Sequence, residues 1–314
     1  MNRNETASGQ TVKRAGGSIP GSADWPAFTQ SCPRPMPVPV LVSVPHAGRQ
    51  YTNDLRASLR HPAEASLRLE DRFVDLVGEA VARATGAALL VAHAPRAMID
   101  LNRSPQDIDW DMVKGGGSPV RGRLSAGRRA RSGLGLVPRR LPGLGELWNR
   151  PLSREDIAAR IAGVHQPYHA ALAKTLEAMR DKWGVAILLD LHSMPPLGKK
   201  HGPDAAADYV IGDRFGGSCE GGLVAAALNH FERRGLRVAH NRPYAGGYVL
   251  DRHGAPGRRV SALQLEICRA AYLDTAMREP GEGLPAVVEA VSGLVRRLAE
   301  EALLGQSDWP QAAE

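Results

Sequence analysis

The feature that most limits the possible folds is the apolar run VAILLDLHS at residues 185–193, which turns polar only at its end. The run is far shorter than the roughly 20 residues that a bilayer-spanning helix needs. It lacks the spacing of an amphipathic helix, and it therefore predicts a strand that is buried on both faces. A strand of this kind needs helices on both sides of its sheet.

The rest of the chain alternates between strand and helix patterns, which favours an α/β protein. We predict three α/β/α layers around a mixed, mostly parallel sheet. Further strands are predicted in VPVLVSVP (38–45), AALLVAH with AMIDLN (87–102, a pair or one bent strand), ADYVIGD (207–213), GLRVAH (235–240) and VSALQLEIC (260–268). Helices are predicted at 64–86, ending at Gly86, at 152–184, with a Ser153 N-cap and a kink at Pro167, at 220–234 and at 284–304.

Composition along the chain predicts one folded domain with two tails. Residues 1–35 are polar and rich in Gly, Ser and Pro, so we expect a disordered N-terminal tail. Residues 36–305 are predicted to form a single domain, and residues 306–314 a C-terminal tail. Within the domain, 114–146 is predicted to be a basic, Gly-rich loop insertion.

The net charge of +7 is concentrated in that insertion, because residues 114–140 contain eight Lys and Arg residues and no acid. This segment has no aromatic residues on which nucleic-acid bases could stack, so we expect no nucleic-acid partner. A basic loop that closes over, or steers substrates towards, an anionic-substrate site is one interpretation. An ordinary surface loop is equally consistent with the pattern.

The N-terminus has no apolar segment typical of a secretory signal, and no run is long enough to cross a membrane. The three cysteines are widely spaced, odd in number and form no CxxC pattern, which is typical of a reducing compartment. We therefore expect a cytoplasmic protein without a membrane partner. The sequence does not reveal its oligomeric state.

Polar residues cluster where the predicted strands end. His46, Asn102 with Arg103, His192 and Glu266 each follow or interrupt an apolar strand. Ligand-binding groups collect at the carboxyl ends of strands in open α/β sheets. Two histidines, a buried glutamate and an Asn-Arg pair indicate a hydrolytic zinc centre, although a single histidine at a strand end is more often a hydrogen-bonded core residue.

Such a centre needs a further ligand, and LRLEDRFVDLV (67–77) offers Glu70, Asp71 and Asp75. Spacing alone does not choose among them, and acids near a helix N-terminus are also favoured without any metal. His165 and His169 form a rival pair with the i, i+4 spacing of some metalloproteases. No Glu follows His165 and Pro167 lies between the two histidines, so packing or a peripheral contact is the better interpretation.

The segment RAMIDLNRSPQD (96–107) places two arginines close together. A planar guanidinium binds a carboxylate through two parallel hydrogen bonds, so Arg96 and Arg103 fit an anionic substrate. The alternative is that they only pair with Asp100 and Asp107. Asp100 and Asp190 lie shortly before candidate site residues and could orient Arg103 and His192.

Seven motifs together resemble the N-formylglutamate amidohydrolase family, from about residue 38 to 300. They are VPHAGRQY, EDRFVDLV, IDLNRSPQD, PYHAAL, LLDLHSMPP, PYAGGY and ALQLEICRAAYLD. That family is similar to zinc carboxypeptidases and aspartoacylases. The resemblance implies a carboxypeptidase-like α/β/α fold, one zinc ion, and hydrolysis of N-formyl-L-glutamate to formate and L-glutamate, a step of histidine breakdown.

The resemblance also implies roles for individual residues. His46, His192 and Asp71 match the metal ligands, with Glu70 as the fallback for the acid. Arg49 stands where zinc carboxypeptidases have the acid of their HxxE spacing, so the carboxylate ligand must come from the later helix. The remaining assignments are Glu266 as general base, Arg96 as the group that polarises the scissile carbonyl, and Asn102 with Arg103 as binders of the substrate carboxylate.

A further hypothesis concerns the segment 241–254, interpreted as a flexible loop over the pocket. Gly246 and Gly247 would give it hinge freedom, and Tyr244, Tyr248 or Arg252 would contact the substrate.

Three alternatives to this function remain open at the level of sequence. The chain could hydrolyse another N-acyl amino acid, such as an N-acyl-aspartate, which only the size of the acyl pocket would reveal. It could be a zinc-dependent peptide carboxypeptidase. It could also be a binding protein that has lost catalysis, which the joint presence of His46, Arg96, His192 and Glu266 disfavours.

Overall fold

The computed structural model describes residues 10–116, 128–199 and 206–304. The strands are, in chain order, β1 (Gln10–Gly16), β2 (Phe28–Arg34), β3 (Val40–Val44), β4 (Ala88–Ala92), β5 (Arg140–Leu141), β6 (Gly145–Glu146), β7 (Ala186–Met194), β8 (Tyr209–Gly212), β9 (Val238–His240) and β10 (Val260–Cys268). The helices are α1 (Asn53–Ser58), α2 (Pro62–Leu69), α3 (Val74–Thr85), α4 (Arg128–Arg131), α5 (Arg154–Arg160), α6 (Gln166–Trp183), α7 (Gly221–Glu232), α8 (Tyr248–His253) and α9 (Leu284–Leu304).

One eight-stranded sheet has the order β1-β2-β4-β3-β7-β10-β8-β9, and β5 with β6 forms a separate hairpin. Its centre, β4-β3-β7-β10, is parallel, whereas β1, β2 and β8 join by antiparallel pairing. Every residue of β3, β7 and β10 is buried. Apolar side chains on both faces of these strands explain why their sequences show continuous apolar runs rather than alternation.

Helices cover both faces of the sheet. On one face, α6 packs Tyr168, Leu172 and Met179 into a core that includes Leu41 of β3. On the other, α3, α7 and α9 form a second core with Leu189 of β7 and its neighbours. The predicted three-layer α/β/α architecture with a mixed sheet is confirmed. None of the helices in the described ranges combines the length and apolar character that a bilayer crossing requires.

The prediction of a disordered tail over residues 1–35 is wrong for the part that the structure describes. Strands β1 and β2 pair antiparallel with each other, and β2 extends the sheet through β4. Strand β1 is largely exposed on both faces, so it lacks the alternation by which a half-buried strand is recognised. Its backbone hydrogen bonds and the buried Phe28, packed edge-on against Tyr168, hold this segment in place. Residues 1–9 and the predicted C-terminal tail (306–314) lie outside the described residues.

The single helix predicted over 64–86 is also wrong, because it is interrupted between α2 and α3. Phe73 adopts a left-handed backbone conformation with φ of 57°, which a continuous helix does not allow. In the gap, the backbone N–H of Asp71 donates to the carbonyl of His46 at 2.9 Å. Helix α3 ends at the left-handed Gly86, as predicted.

The predicted strand AMIDLN (97–102) is an irregular segment instead. The Asp100 carboxylate accepts the N–H of Asn102 at 2.8 Å, and the Asp100 N–H donates to the Leu136 carbonyl at 2.7 Å. These bonds replace a strand ladder, so the polar residues of the segment lie beside the sheet rather than at the end of one of its strands.

Two other local predictions are refined. The helix over 152–184 starts at the Ser153 cap and bends through a π-helical turn at Ile161–His165, just before Pro167. The segment 241–254 contains helix α8 rather than only loop. Of the basic insertion, residues 117–127 lie outside the described residues, while α4 and the β5–β6 hairpin are ordered and Arg139 pairs with Asp109 at 3.0 Å.

Candidate active site

Three buried side chains converge at the carboxyl ends of the central strands. His46 follows β3, His192 lies near the end of β7, and Asp71 comes from the turn between α2 and α3. The Asp71 Oδ2 atom is 3.0 Å from His192 Nδ1 and 3.6 Å from His46 Nδ1. One nitrogen from each ring and one carboxylate oxygen therefore surround a common point, which is the geometry of a metal site with an N₂O donor set.

Each of these histidines has a second carboxylate on its far side. His46 Nε2 donates to Asp100 Oδ1 at 2.8 Å, and His192 Nε2 donates to Asp190 Oδ2 at 2.8 Å. A carboxylate only accepts, so the proton lies on Nε2 and the Nδ1 lone pair faces the common point. Ser43 holds Asp190 through its hydroxyl at 2.9 Å.

The donor set passes a direct test for a metal ion. His46 Nδ1 is buried and has no hydrogen-bond partner, which is expensive unless a cation occupies the point that it faces. Burial opposes protonation of His192, but Asp190 and Asp71 outweigh burial and raise its pKa well above the ordinary value. The two carboxylates therefore demand a positive charge at Nδ1, and a proton or a metal ion can supply it.

The structure separates the three acids that the sequence left open. Asp75 forms a two-bonded ion pair with Arg49, at 2.6 and 3.0 Å. Glu70 accepts from Arg72 at 3.0 Å. Of these acids, only Asp71 joins the two histidines. Burial opposes its ionisation, but the His192 and His46 rings that face it prevail and hold its pKa well below the usual range.

Glu266 lies beside His192 because β7 and β10 are parallel neighbours and these two residues are partners in register. Partners in register point to the same face of a sheet. Its carboxylate accepts from Gln264 Nε2 at 3.0 Å. Burial raises the pKa of Glu266 to about 7, against the opposing effect of His192. A carboxylate with this pKa can both accept and release a proton near neutral pH.

Arg96 lies near the group His46, Asp71 and His192, called the metal triangle below, and is held by Asp100. Its Nε and Nη2 atoms are both 2.9 Å from Asp100 Oδ2, while Asp100 Oδ1 holds His46. Burial opposes the charge of Arg96, but Asp100, Asp71 and Glu266 prevail and its pKa is raised. The predicted alternative, that Arg96 pairs with Asp100, is thus also present, and the pairing leaves 22% of the Arg96 side chain exposed.

Arg103 differs from Arg96 because its guanidinium contacts only carbonyl oxygens, those of Leu134 (3.0 Å) and Asn102 (2.8 Å). Burial lowers its pKa. In the described part of the chain no carboxylate, including Asp107, forms an ion pair with it. Asp100 therefore orients Arg96 and His46 rather than Arg103, and the remaining Arg103 donors suit an anionic ligand.

The side chain of Asn102 is occupied by protein groups. Its Oδ1 atom accepts from Val249 N at 2.9 Å, and its Nδ2 atom donates to Gln264 Oε1 at 3.3 Å. Gly247 passes so close that a Cβ there would lie 2.6 Å from Asn102 Oδ1. Asn102 thereby ties α8 to the strand that carries Glu266.

Tyr248 and Arg252 lie on α8 and contact each other, with Arg252 Nη1 donating to the Tyr248 hydroxyl at 2.8 Å. The Tyr248 ring packs against His165 and His169 at centroid distances of 5.6 and 5.1 Å. Both candidate substrate contacts therefore flank the Asn102–Arg103 segment rather than the metal triangle.

His165 and His169 belong to a second group of buried histidines, together with His253. His165 Nε2 donates to the Arg103 carbonyl at 2.9 Å, and His169 Nε2 donates to the Leu101 carbonyl at 3.0 Å. His253 Nε2 donates to His169 Nδ1 at 2.9 Å. These histidines form hydrogen bonds with backbone carbonyls and with each other. The group therefore supports the Leu101–Arg103 backbone, in line with the packing interpretation.

Two residues that sequence reasoning missed, Gln264 and Arg269, complete the site together with Tyr244, which the sequence named only as a candidate substrate contact. Arg269 is buried and its Nη2 atom donates to the Glu70 carbonyl at 2.6 Å and contacts Asp71 Oδ1 at 3.4 Å, which fixes the turn that carries Asp71. Gln264 supports Glu266 as described above. Burial and the Glu266 charge raise the pKa of Tyr244, which places this phenol near the base. A polar residue two positions before, or three after, a buried glutamate is the signal that could have found Gln264 and Arg269.

The chain is similar to known proteins over most of its length. The family model described as N-formylglutamate amidohydrolase matches residues 38–273. The curated N-formylglutamate deformylase of Pseudomonas aeruginosa is 29% identical over 282 residues, covering 85% of this chain and 93% of that protein.

Two solved structures extend the comparison. The crystal structure of N-formylglutamate amidohydrolase from Ralstonia eutropha JMP134 is 34% identical, with a TM-score of 0.78 and coverage of 89% of this chain and 99% of that one. A gene product of Agrobacterium tumefaciens shares the fold at 18% identity and a TM-score of 0.57, covering 87% of this chain and 94% of that chain.

Proposed function

Because the chain belongs to the N-formylglutamate amidohydrolase family, we propose that it hydrolyses an N-acyl amino acid, namely N-formyl-L-glutamate, to formate and L-glutamate. The observation that carries the proposal is the buried His46–Asp71–His192 triangle with Glu266 beside it. We propose that the triangle holds one Zn²⁺ ion, since two imidazoles and one carboxylate are a typical catalytic zinc ligand set.

A zinc ion held by His46, Asp71 and His192 would supply Lewis acidity to the acyl carbonyl and to a water molecule. Glu266 accepts a proton from the attacking water as the water oxygen bonds to the formyl carbon. Arg96 faces the carbonyl oxygen and stabilises the negative charge that develops on it. Glu266 then delivers its proton to the amide nitrogen, the C–N bond breaks, and formate and the free amine of glutamate separate.

Substrate orientation is assigned to the cationic groups beside the triangle. Among the described residues no carboxylate forms an ion pair with Arg103, and its guanidinium has further N–H groups besides those bound to carbonyl oxygens. It therefore binds a carboxylate of the substrate. Asn102 keeps its proposed place in the substrate site, through the backbone geometry that it imposes on Arg103 and α8. Tyr248 and Arg252 are proposed to contact the part of the substrate farthest from the acyl group.

Cytoplasmic action is part of the proposal. It is supported by the free thiols of Cys32, Cys219 and Cys268, which suit a reducing compartment.

The test is formate release from N-formyl-L-glutamate by the purified protein, before and after chelation and after zinc is added back. We expect chelation to abolish activity, zinc to restore it, and Glu266→Gln to lower kcat by roughly 100- to 10,000-fold while zinc remains bound. N-acetyl-L-aspartate and a dipeptide with a free C-terminus are tested as alternative substrates. Bound zinc with hydrolysis only of a competing substrate would overturn the formylglutamate assignment, and an active metal-free protein would overturn the mechanism.

A further inference from the structure

A second cavity, separate from the metal triangle, contains a buried guanidinium. It has a volume of about 520 Å³ and lies between α1, the segment 149–152 and α5. None of the metal-triangle residues, nor Glu266, Arg96 or Arg103, lines it. Its deepest charged group is Arg160, which is only 8% exposed.

Arg160 has few partners for a buried cation. Its Nη1 atom donates to the Met98 carbonyl at 3.0 Å, and its guanidinium carbon lies 4.9 Å from the centroid of the Trp148 ring. Within the described ranges no carboxylate comes within 4.0 Å of it, and burial lowers its pKa to about 10. A buried guanidinium without a carboxylate is costly, so its remaining N–H groups suit the anionic end of a ligand.

The mouth of the cavity has the opposite charge. Asp54 and Asp156 line it and are both exposed. Asp156 precedes Arg160 by one helical turn, so the two side chains share a face of α5. The exposed Arg150 also lines the cavity. Two carboxylates and one guanidinium among the exposed lining residues leave a net negative charge above the buried Arg160, which disfavours a simple anion relative to a ligand that also carries a positive charge.

We propose that this cavity binds a free α-amino acid, with its carboxylate on Arg160 and its ammonium group facing Asp54 and Asp156. The two charges of a zwitterion match the order of charges in the cavity. An N-acyl amino acid has no ammonium group and loses half of this recognition. The cavity therefore distinguishes an amino acid with a free amine from its acylated form.

The position of Arg160 connects the cavity to the active site. Met98, whose carbonyl Arg160 holds, lies in the segment that carries Arg96 and Asp100. An amino acid on Arg160 therefore acts on the backbone that positions these two residues. That the ligand is L-glutamate rests on the proposed function, whereas the class of ligand rests on the cavity alone.

The test is isothermal titration of the zinc-loaded full chain with L-glutamate, glutarate and inorganic phosphate. Glutarate keeps both carboxylates of glutamate but has no amine. We expect L-glutamate to bind at least about 10-fold more tightly than either other compound. Equal binding of glutarate or phosphate, or no binding of L-glutamate, would overturn the proposal.

Variants separate this cavity from the active site. Arg160→Met should weaken L-glutamate binding by about 10-fold or more, and Asp54→Asn with Asp156→Asn should weaken it several-fold. Arg258→Met, at an exposed arginine outside the cavity, is the matched control and should change nothing. Arg103→Met should abolish turnover but retain this binding.

The opposite pattern is loss of L-glutamate binding in Arg103→Met and its retention in Arg160→Met. It would show that the heat of binding comes from the active site and would refute a second site. If Arg160→Met does not fold, the paired Asp variants decide, because they leave the buried guanidinium in place. Failure of formate release with intact L-glutamate binding would count against the proposed function and not against the cavity.

Discussion

Two groups of buried histidines lie on either side of the Asp100–Arg103 segment, and their partners differ. His46 and His192 each have a carboxylate on the far side and share Asp71 on the near side. His165, His169 and His253 contact backbone carbonyls and each other. Both groups are equally inaccessible, so burial does not distinguish a metal site from a structural cluster.

The surrounding charge does distinguish them. Carboxylates raise the pKa of His192 well above its ordinary value, whereas burial, assisted by the charge of Arg252, lowers the pKa of His169 to about 2 and that of His253 to about 4. The first group is built to hold positive charge and the second to stay neutral. The i, i+4 spacing of His165 and His169 therefore misleads, because the candidate metal site is marked by the outer carboxylates of His46 and His192, which spacing does not reveal.

The largest predicted effect is at the shared carboxylate. Asp71→Asn removes the negative charge between His46 and His192, so we expect the purified protein to contain little zinc and kcat/KM to fall at least about 1000-fold. Metal analysis by mass spectrometry and formate release measure both. His169→Gln is the matched control from the second group and should keep one zinc per chain. Loss of zinc in that control would erase the distinction between the two groups.

A smaller effect is expected at the outer carboxylate. Asp100→Asn leaves the ligands in place but weakens the support of His46 and Arg96, so zinc affinity should fall roughly 10- to 100-fold. Competition with a chromophoric chelator measures the affinity. Asp107→Asn, a carboxylate in the same segment that has no ion pair with Arg103, is the control. An unchanged affinity in Asp100→Asn would show that the outer carboxylate plays no part in metal binding.

The second group should affect stability and substrate binding instead of metal content. His169→Leu leaves the Leu101 carbonyl without its donor and His253 without its acceptor, so the free energy of unfolding should fall by about 3 kcal/mol. Because the same backbone positions Arg103, KM should rise more than kcat falls. Urea denaturation and steady-state kinetics measure these effects. His169→Gln, which keeps a donor at a similar position, should recover most of both, and an equal loss in the two variants would argue against the hydrogen bond.

The smallest effect is a pH dependence. His169 and His253 titrate near 6.5 when unfolded and at about 2 and about 4 when folded. The unfolded chain therefore binds more protons between these values, and stability falls as the pH drops from 6.5 towards 4. Relative to a variant with both residues changed to Gln, the native chain should lose roughly 2 kcal/mol more between pH 6.5 and about pH 5.5. The free energy of unfolding of both proteins is measured as a function of pH. If the two curves run parallel, the prediction is wrong.

Much of the fold follows from local sequence patterns. Strands β7 and β10 were predictable because burial on both faces produces apolar runs. A polar residue within such a run is costly to bury without a partner, so it indicates a functional or hydrogen-bonded site. That reasoning located His192 and Glu266 and, with the family resemblance, Asp71. Strand β1 was not predictable, since its side chains are mostly exposed and its hydrogen bonds leave no trace in the order of residues.

The segment AMIDLN (97–102) shows a different limit of sequence reasoning. Its apolar and polar residues alternate like those of a strand, but the Asp100 side chain competes for backbone donors and bends the chain. The interruption at Phe73 depends on contacts distant in sequence, including the bond from Asp71 to the carbonyl of His46. Tertiary contacts of this kind determine the direction in which an acidic side chain points, and they cannot be predicted from residue spacing.

The place of β10 in the sheet has a consequence for how the protein is made. This strand inserts between β7 and β8, so β8 and β9 emerge from the ribosome before the neighbour that joins them to the sheet. His46, Asp71 and His192 are all translated earlier than Glu266. During synthesis the nascent chain therefore possesses its proposed metal ligands while it still lacks its proposed proton acceptor, and the complete set of site residues arrives with the strand that completes the sheet.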